Sequence, residues 1–180
     1  EIKYMTAKEE DILTSQNLIK KGVVIDRLLD SLILTPGIKQ DDLVLGDKNA
    51  VMVAARILAY GPEYTVQVSN PNNPNEVITH SFNLAECGFK EFPDDVDYSS
   101  GEIETILPVS KAKITFKLLT GHDEKQITRD IKASEKTGTS SDITTRLRYA
   151  VLSINGDTDK STINQGVINM LSRDSLFLRN

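Results

Sequence analysis

The sequence is poor in side chains that bind soft metals or form disulfides. Its 180 residues include one cysteine, Cys87, and two histidines, His80 and His122. A single cysteine excludes a disulfide within the chain and is consistent with a reducing compartment. A tetrahedral zinc site requires four closely spaced ligands, and positions 80, 87 and 122 share no such spacing. We therefore expect no metal and no cofactor. His80 lies on an apolar strand face, so we expect it to be partly buried, and Cys87 has no conspicuous base nearby, so we expect no nucleophilic role for it.

The sequence also lacks long apolar runs and an excess of basic residues. No apolar run approaches the ~18 residues of a membrane-spanning helix, and no basic leader followed by an apolar stretch opens the chain. The 21 lysine and arginine residues against 26 aspartate and glutamate residues give a net charge of −5. Nucleic-acid-binding proteins usually carry a basic face. The composition therefore predicts no membrane span, no signal peptide and no nucleic-acid partner.

Two short motifs begin like ligand-binding loops, and both are incomplete. Asp157-Thr158-Asp159 could start a calcium loop, but Thr162 stands where glycine is needed and Ile168 where glutamate is needed. Gly46-Asp47-Lys48-Asn49 lacks the other glycines of a phosphate-binding loop. No pair of carboxylates is singled out as a catalytic pair. We therefore expect a protein that is not an enzyme and has no catalytic residues.

What the sequence does contain is one ten-residue segment that is almost entirely apolar. In residues 50–59 every side chain is apolar except that of Arg56. A helix that is apolar all round is normally buried on every side. We expect Asp47 to cap this helix at its N-terminus and Gly61 to end it. The segment therefore predicts a buried central helix around which the other elements pack.

Arg56 is the unusual residue of that helix. Burial of an unpaired guanidinium is costly, so the side chain should meet a carboxylate or reach solvent. We expect Arg56 to be at least half buried and to form a structural ion pair with Asp47 or Glu63. The alternative is a role in binding a partner or an anion.

Helical patterns flank this segment on both sides. Thr6-Ala7-Lys8-Glu9 fits a capping box, which begins a helix that ends at Gly22. An apolar face over residues 24–33 predicts the next helix. Four more helices are predicted near the end of the chain: over 122–136, from Ser141 or Asp142 through Ile154, over 163–171, and from Asp174 onward.

Between the helical regions, apolar and polar residues alternate, which is typical of strands. One hairpin is predicted from residues 64–68 to 78–84 around a loop at 70–75, and a second from 102–107 to 111–119. The fold class is therefore α+β: a helical bundle around a buried central helix, with two antiparallel β-hairpins inserted mid-chain. We expect a single domain over residues 1–180, with helical parts at 1–62 and 120–180 and a hairpin part at 63–119.

The ends of the sequence indicate a portion of a longer chain. Glu1 is not a methionine, and residues 176–180 look like a helix that is cut short. Leu176, Phe177 and Leu178 are consecutive, and a helix cannot bury three adjacent apolar residues on one narrow face. We expect these three residues to contact either a missing tail or another subunit.

Several short segments together carry a family pattern. Gly46-Asp47-Lys48-Asn49, Arg56 and Tyr60-Gly61 follow the order Gly-Asp-Arg-Asn…Arg…Tyr-Gly, with lysine in place of the first arginine. The further segments are Met5-Thr6-Ala7-Lys8-Glu9-Glu10-Asp11-Ile12-Leu13, Lys20-Lys21-Gly22, Ile114-Thr115-Phe116-Lys117-Leu118-Leu119 and Asp174-Ser175…Leu178-Arg179. In these segments the chain resembles the baseplate protein family of T-even-like contractile-tailed bacteriophages. Some members carry a Cys-Pro-X-Cys turn where this chain has Asn70-Pro71-Asn72-Asn73, so a metal knuckle is not carried over.

The resemblance implies a structural or assembly protein that contributes to the central hub of the tail baseplate through protein–protein contacts. It implies a location in the host cytoplasm during assembly, and in the virion tail baseplate if the protein stays in the particle. The implied partners are other tail and hub proteins, with self-association as a further contact. The motif residues are Gly46, Asp47, Asn49, Arg56, Tyr60 and Gly61. The alternative function is a soluble binding module or an unrecognised enzyme unrelated to tails.

Overall fold

A computed structural model of the protein describes residues 1–71, 73–88, 100–136 and 141–179. The described residues form eight α-helices and two antiparallel sheets, one of two strands and one of three. The predicted α+β class with two antiparallel hairpins is confirmed. The chain divides into two compact units, Glu1–Lys90 and Glu91–Asn180. The single domain expected over residues 1–180 stays a prediction.

The helices of the first unit precede its hairpin. They are α1 (Ala7–Thr14), α2 (Gln16–Lys21), α3 (Val24–Leu32) and α4 (Leu45–Tyr60). The predicted capping box is present between Thr6 and Glu9. The helix predicted to end at Gly22 is two helices, because the backbone of Ser15 is extended between α1 and α2. Gly22 adopts φ +68°, a conformation that glycine tolerates and that ends α2 as expected.

Helix α4 is not the buried central helix that its apolar sequence predicts. Of its described residues only Ala55 is fully buried, where it packs with Leu28 and Leu32 of α3. Val53 and Leu58 are exposed. Apolar composition permits burial on every side, but actual burial depends on how many elements surround the helix. In the first unit, α3 covers the Ala55 face and leaves the face of Val53 open.

The two ends of α4 differ in how well the sequence predicted them. The helix begins at Leu45 with Val44 as the N-cap residue, so the prediction of an Asp47 cap is wrong. Asp47 lies instead in the first turn, where its charge still favours the helix dipole. Gly61 ends the helix as predicted, with φ +83° and its N–H donating to the carbonyl of Ile57 at 2.9 Å.

An antiparallel hairpin completes the described part of the first unit. Its strands are β1 (Glu63–Asn70) and β2 (Asn73–Asn83). The alternating residues pair directly: Tyr64 with Phe82, Val66 with His80, and Val68 with Ile78. The loop predicted at residues 70–75 is shorter, because β2 already begins at Asn73.

The second unit contains a three-stranded antiparallel sheet in the order β3–β4–β5. The strands are β3 (Glu102–Ile106), β4 (Lys113–Lys117) and β5 (Val151–Ile154). The first two form the predicted hairpin. The helix predicted to run through Ile154 ends at Ala150. The next four residues form β5, of which Val151, Ser153 and Ile154 pair with β4. The branched side chains of Val151 and Ile154 suit a strand, and their pairing satisfies the second edge of β4.

Four helices complete the second unit. They are α5 (Gly121–Lys136), α6 (Asp142–Ala150), α7 (Lys160–Ile168) and α8 (Ser172–Arg179). The core joins both sheet and helices through Leu107, Ile114, Leu147, Val151, Ile163 and Val167. Ile127 of α5 is fully buried. None of the helices in the described ranges is long and apolar enough to cross a membrane.

Candidate functional site

The described side chains that could bind a metal ion or act as a nucleophile do not cluster. Within the described residues, no three aspartate, glutamate, histidine or cysteine side chains are grouped so that they could hold a metal ion. Cys87 is exposed. His80 is exposed too, with its ring 4.4 Å from that of Phe82, so the prediction of a partly buried His80 is wrong. The strand pattern placed His80 on the apolar face of the hairpin but could not show whether anything covers that face.

The most distinctive constellation in the first unit surrounds Arg56 at the end of α4. Tyr60 follows four residues later and therefore lies on the same face of the helix. The turn at Gly61 then brings Tyr64 of β1 back to the same side chain. The Cζ atom of Arg56 lies 4.8 Å from the ring centroid of Tyr60 and 5.6 Å from that of Tyr64. These distances are those of cation–π contacts.

Arg56 is partly buried, as expected, but its neighbours are not those that the sequence predicts. Its Nη1 atom donates a hydrogen bond to the carbonyl of Gly61 at 3.2 Å. In the described part of the chain, no carboxylate lies within ion-pair distance of its guanidinium, so pairing with Asp47 or Glu63 is not observed. Asp47 is nine residues away along α4, which corresponds to about 13 Å. Ring faces and a carbonyl dipole therefore take the place of a carboxylate.

Tyr60 links this constellation to α1. Its hydroxyl donates a hydrogen bond to Oε1 of Glu10 at 3.2 Å. Desolvation, that hydrogen bond and the nearby Glu10 charge raise the pKa of Tyr60 above its ordinary value, although Arg56 acts in the opposite direction. The hydroxyl therefore stays protonated and acts as a donor. We call Glu10, Arg56, Tyr60 and Tyr64 the tyrosine–arginine cluster.

The other motif residues lie at the opposite end of α4. Gly46, Asp47 and Asn49 are exposed in the first turns of this 16-residue helix, far from Arg56 and Tyr60. A Cβ atom on Gly46 would point into open space. The structure therefore brings Arg56, Tyr60 and Gly61 together, but it does not join them to the Gly-Asp-Lys-Asn segment.

Lys48 is the residue of that segment with a structural role, which the sequence does not indicate. Its Nζ atom lies 3.2 Å from Oδ1 of Asp26 and 2.5 Å from Oε1 of Gln40. Gln40 is buried and donates in turn to Asp41 at 2.6 Å. This network connects α3 to the start of α4. An isolated lysine in a polar segment carries no sequence signal for such a role.

Glu9 is a fully buried carboxylate that stays charged because donors surround it. Lys3, Ser31 and Thr6 donate side-chain hydrogen bonds of 2.7, 2.6 and 2.6 Å to its oxygens. The bond from Lys3, followed by those from Ser31 and Thr6, holds the pKa of Glu9 far below its ordinary value despite its burial. The capping-box pattern predicted the Thr6 contact, but the bonds to Lys3 and Ser31 depend on tertiary structure.

Asp174 is the corresponding residue of the second unit: a buried carboxylate that hydrogen-bond donors keep charged. It is fully buried in α8, and it accepts hydrogen bonds from the backbone N–H groups of Val109 at 2.8 Å and Ser110 at 2.9 Å. Burial alone would raise its pKa, but the bonds from Val109 and Ser110 together with the charge of Lys111 outweigh that effect and lower it. Asp174 therefore connects α8 to the turn between β3 and β4 through these hydrogen bonds.

The three apolar residues near the end of the chain separate into two groups. Leu176 and Phe177 are exposed, whereas Leu178 packs against the core of the second unit. The helix thus partly buries one of the three and leaves two exposed. Their predicted contact with a partner stays a prediction.

A cleft of about 670 Å³ lies elsewhere in the second unit. Its lining includes the cations of Lys117, Arg148 and Lys160, beside the aromatic ring of Tyr149. Lys117 already forms an ion pair with Asp123 at 2.7 Å. The cleft is positively charged and open, and it lacks the convergent acid, base and nucleophile of a hydrolytic site among its lining residues.

The tyrosine–arginine cluster is thus the most distinctive candidate site, and its side chains are of the kind that form protein–protein interfaces. Comparison of the chain with protein-family models, with curated proteins and with solved structures found no match. Its function is therefore inferred from the residues and their arrangement.

Proposed function

We propose that the protein is a structural or assembly component of a bacteriophage contractile tail and contributes to the central hub of the baseplate through protein–protein contacts. The single observation that carries the proposal is the Gly-Asp-Lys-Asn…Arg…Tyr-Gly pattern, in which Arg56, Tyr60 and Gly61 come together at one surface. The resemblance of this and the other segments to baseplate proteins supplies the biological setting.

The side chains available for contact support a role in assembly. Tyrosine and arginine are enriched at the energetically dominant positions of protein interfaces. Tyr60 and Tyr64 are both exposed beside Arg56, and Leu176 and Phe177 are exposed in the second unit. Contiguous exposed apolar surface usually marks a contact site. The partners would be other tail and hub proteins, met in the host cytoplasm during assembly, and further copies of the same chain.

The experiment is infection with a phage that lacks this gene, followed by electron microscopy of the tails. We expect unfinished baseplate parts without a central hub, because a component that links subunits would be missing. Normal, infectious contractile tails would overturn the proposal.

Complementation of the same phage separates contact from folding. A Leu176→Ala/Phe177→Ala variant removes two exposed side chains and should fold normally but restore tails poorly. Leu178→Ala is the matched control, because Leu178 packs on the core and its loss acts through stability. Tails restored fully by the double variant would show that this end of α8 is not a contact.

A further inference from the structure

The hairpin of β1 and β2 has two chemically different faces. Side chains alternate across a strand, so directly paired residues share a face. One face carries Tyr64, Val66, Val68, Ile78, His80 and Phe82, which form three cross-strand pairs. The pairs on the opposite face include Thr65–Ser81 and Gln67–Thr79, which are polar. We call the first set the hairpin face.

The hairpin face is open in the first unit. The exposed fractions of Tyr64, Val68, Ile78 and Phe82 lie between 38% and 48%. An antiparallel sheet with one apolar and one polar face normally packs its apolar face on a core, and an isolated two-stranded hairpin is marginally stable. An exposed apolar face of this kind is therefore typical of a surface that binds a partner.

Opposite charges stand at the two ends of this face. At the base, the guanidinium of Arg56 lies 5.6 Å from the ring of Tyr64 and has no carboxylate partner among the described residues. At the tip, Glu76 accepts a hydrogen bond of 2.8 Å from Asn70, across the hairpin. Glu76 is two residues from Ile78 and by alternation lies on the same face, just before the pairing becomes irregular beyond Ser69 and Val77.

The two charges are placed almost symmetrically about the centre of the face. Each residue advances about 3.4 Å along a strand. Glu76 thus lies roughly 14 Å from His80 in one direction, and Tyr64 lies roughly 7 Å from Val66 in the other. The Arg56 guanidinium lies a further 5.6 Å from the ring of Tyr64. The cation and the carboxylate are therefore at similar distances from the Val66–His80 pair.

We propose that the hairpin face binds a second copy of this chain face to face, in a two-fold symmetric contact. The axis lies between the two hairpins and is parallel to the line that joins Val66 to His80 across the strands. Such an axis places the base of one hairpin over the tip of the other. Arg56 of each copy then meets Glu76 of its partner copy, and Tyr64 and Phe82 cover Val68 and Ile78. A symmetric dimer requires a self-complementary surface of this kind.

This dimer specifies the self-association that the proposed function includes. The dimer itself, however, is inferred only from the geometry of the hairpin. A protein that stays monomeric would overturn the dimer and leave the baseplate role untouched. Normal tails from a phage without the gene would do the reverse. The contact is small, so we expect a weak dimer with a dissociation constant of roughly 10–100 μM.

Sedimentation velocity of the full chain from about 1 to 200 μM tests the association. We expect a concentration-dependent shift from monomer to dimer. Phe82→Ser should weaken dimerisation by about tenfold or more, because it removes a ring from the hairpin face. Val77→Ser is the matched control: Val77 is 62% exposed and pairs with Ser69 on the opposite face. A wild-type monomer throughout, or equal effects of the two substitutions, would overturn the proposal.

Charge reversal tests the symmetry. Arg56→Glu and Glu76→Arg should each abolish self-association, because like charges would meet twice in each dimer. Mixed in equal amounts, the two variants should form a heterodimer, since every contact then joins glutamate to arginine. A mixture that associates no better than either variant alone would contradict the two-fold contact. Circular dichroism verifies that both variants fold; if Arg56→Glu does not, the comparison of Phe82→Ser with Val77→Ser decides.

Discussion

At the scale of single residues, two buried carboxylates show how hydrogen bonds stabilise a charge in the interior of each unit. Glu9 and Asp174 are both fully buried, and each is surrounded by N–H, O–H or ammonium donors. Hydrogen bonds to the charged form offset the cost of removing a carboxylate from water. Both residues therefore connect segments distant in sequence: Glu9 joins α1 to α3, and Asp174 joins α8 to the β3–β4 turn.

These carboxylates predict a loss of stability in acid. Their pKa values in the folded protein lie below the ordinary values of 4.5 for Glu9 and 3.8 for Asp174. The unfolded chain therefore binds protons at a higher pH than the folded chain does. The contribution should be complete at neutral pH and decrease as the pH falls below about 5, with the loss continuing below pH 4. Thermal unfolding midpoints between pH 7 and 3 measure it.

The matching variants are Glu9→Gln and Asp174→Asn. Each should lower the midpoint at pH 7 and flatten its dependence on pH, because the titrating group is gone. A pH profile with the same slope in the wild type and in both variants would contradict this assignment.

Lys48 leads to a second prediction at this scale. Lys48→Met should lower the free energy of unfolding by about 1.5–3 kcal/mol, because it removes charged hydrogen bonds to Asp26 and Gln40 in a partly buried site. Asn49→Ala, at the next and exposed position, is the control and should change the value by less than about 0.5 kcal/mol. Equal effects in urea unfolding would show that the Lys48 network contributes no stability.

At the scale of elements, the short strand β5 determines the architecture of the second unit. It turns the predicted β3–β4 hairpin into a three-stranded sheet, so β4 is paired on both sides. Ile114 in the middle of β4 is fully buried and contributes to the core with Leu147 of α6 and Ile163 of α7. The packing of the helices therefore depends on this central strand.

The position of Ile114 predicts a large effect of its truncation. Ile114→Ala should lower the free energy of unfolding by about 2–5 kcal/mol, through lost burial and a residual cavity. The same change at Ile106 in the neighbouring strand β3 is the control, because Ile106 is 63% exposed. Chemical denaturation of both variants gives the comparison. Similar losses at the two positions would contradict the central place of β4 in the core.

At the scale of the whole molecule, each of the two units has its own buried apolar cluster. The cluster of the first unit is the smaller, with Leu28, Leu32 and Ala55. The hairpin of that unit contributes no fully buried side chain among those described. Stability is therefore expected to be uneven, since local opening is easiest where few apolar contacts must be broken.

Hydrogen exchange measures this difference. At about 1 μM, where the proposed dimer is dissociated, backbone amides of β1 and β2 should exchange faster than those of β4. At high concentration the hairpin amides should gain protection, because the hairpin face is then covered. Uniform exchange in both sheets at low concentration would contradict the first expectation. The Phe82→Ser variant controls for the second, since its hairpin should show no such gain.

Local patterns predicted much of the fold from the sequence. The capping box at Thr6, the end of α2 at Gly22, the end of α4 at Gly61 and the alternation in β1 and β2 all involve neighbours within a few residues. Such features depend on helix and strand periodicity and on backbone conformation, which the chain carries locally. The part-burial of Arg56 followed in the same way from its apolar neighbours.

Tertiary structure alone decided the features that depend on distant partners. The apolar sequence of α4 was compatible with full burial, but α3 covers only its Ala55 face in the first unit. The apolar spacing up to Ile154 was compatible with a continued helix, but Val151 and Ile154 pair with β4 as a strand. Lys48 and Asp174 found partners more than 20 and 60 residues away along the chain, respectively. Periodicity states which side chains share a face, whereas burial and pairing depend on which segments the folded chain brings together.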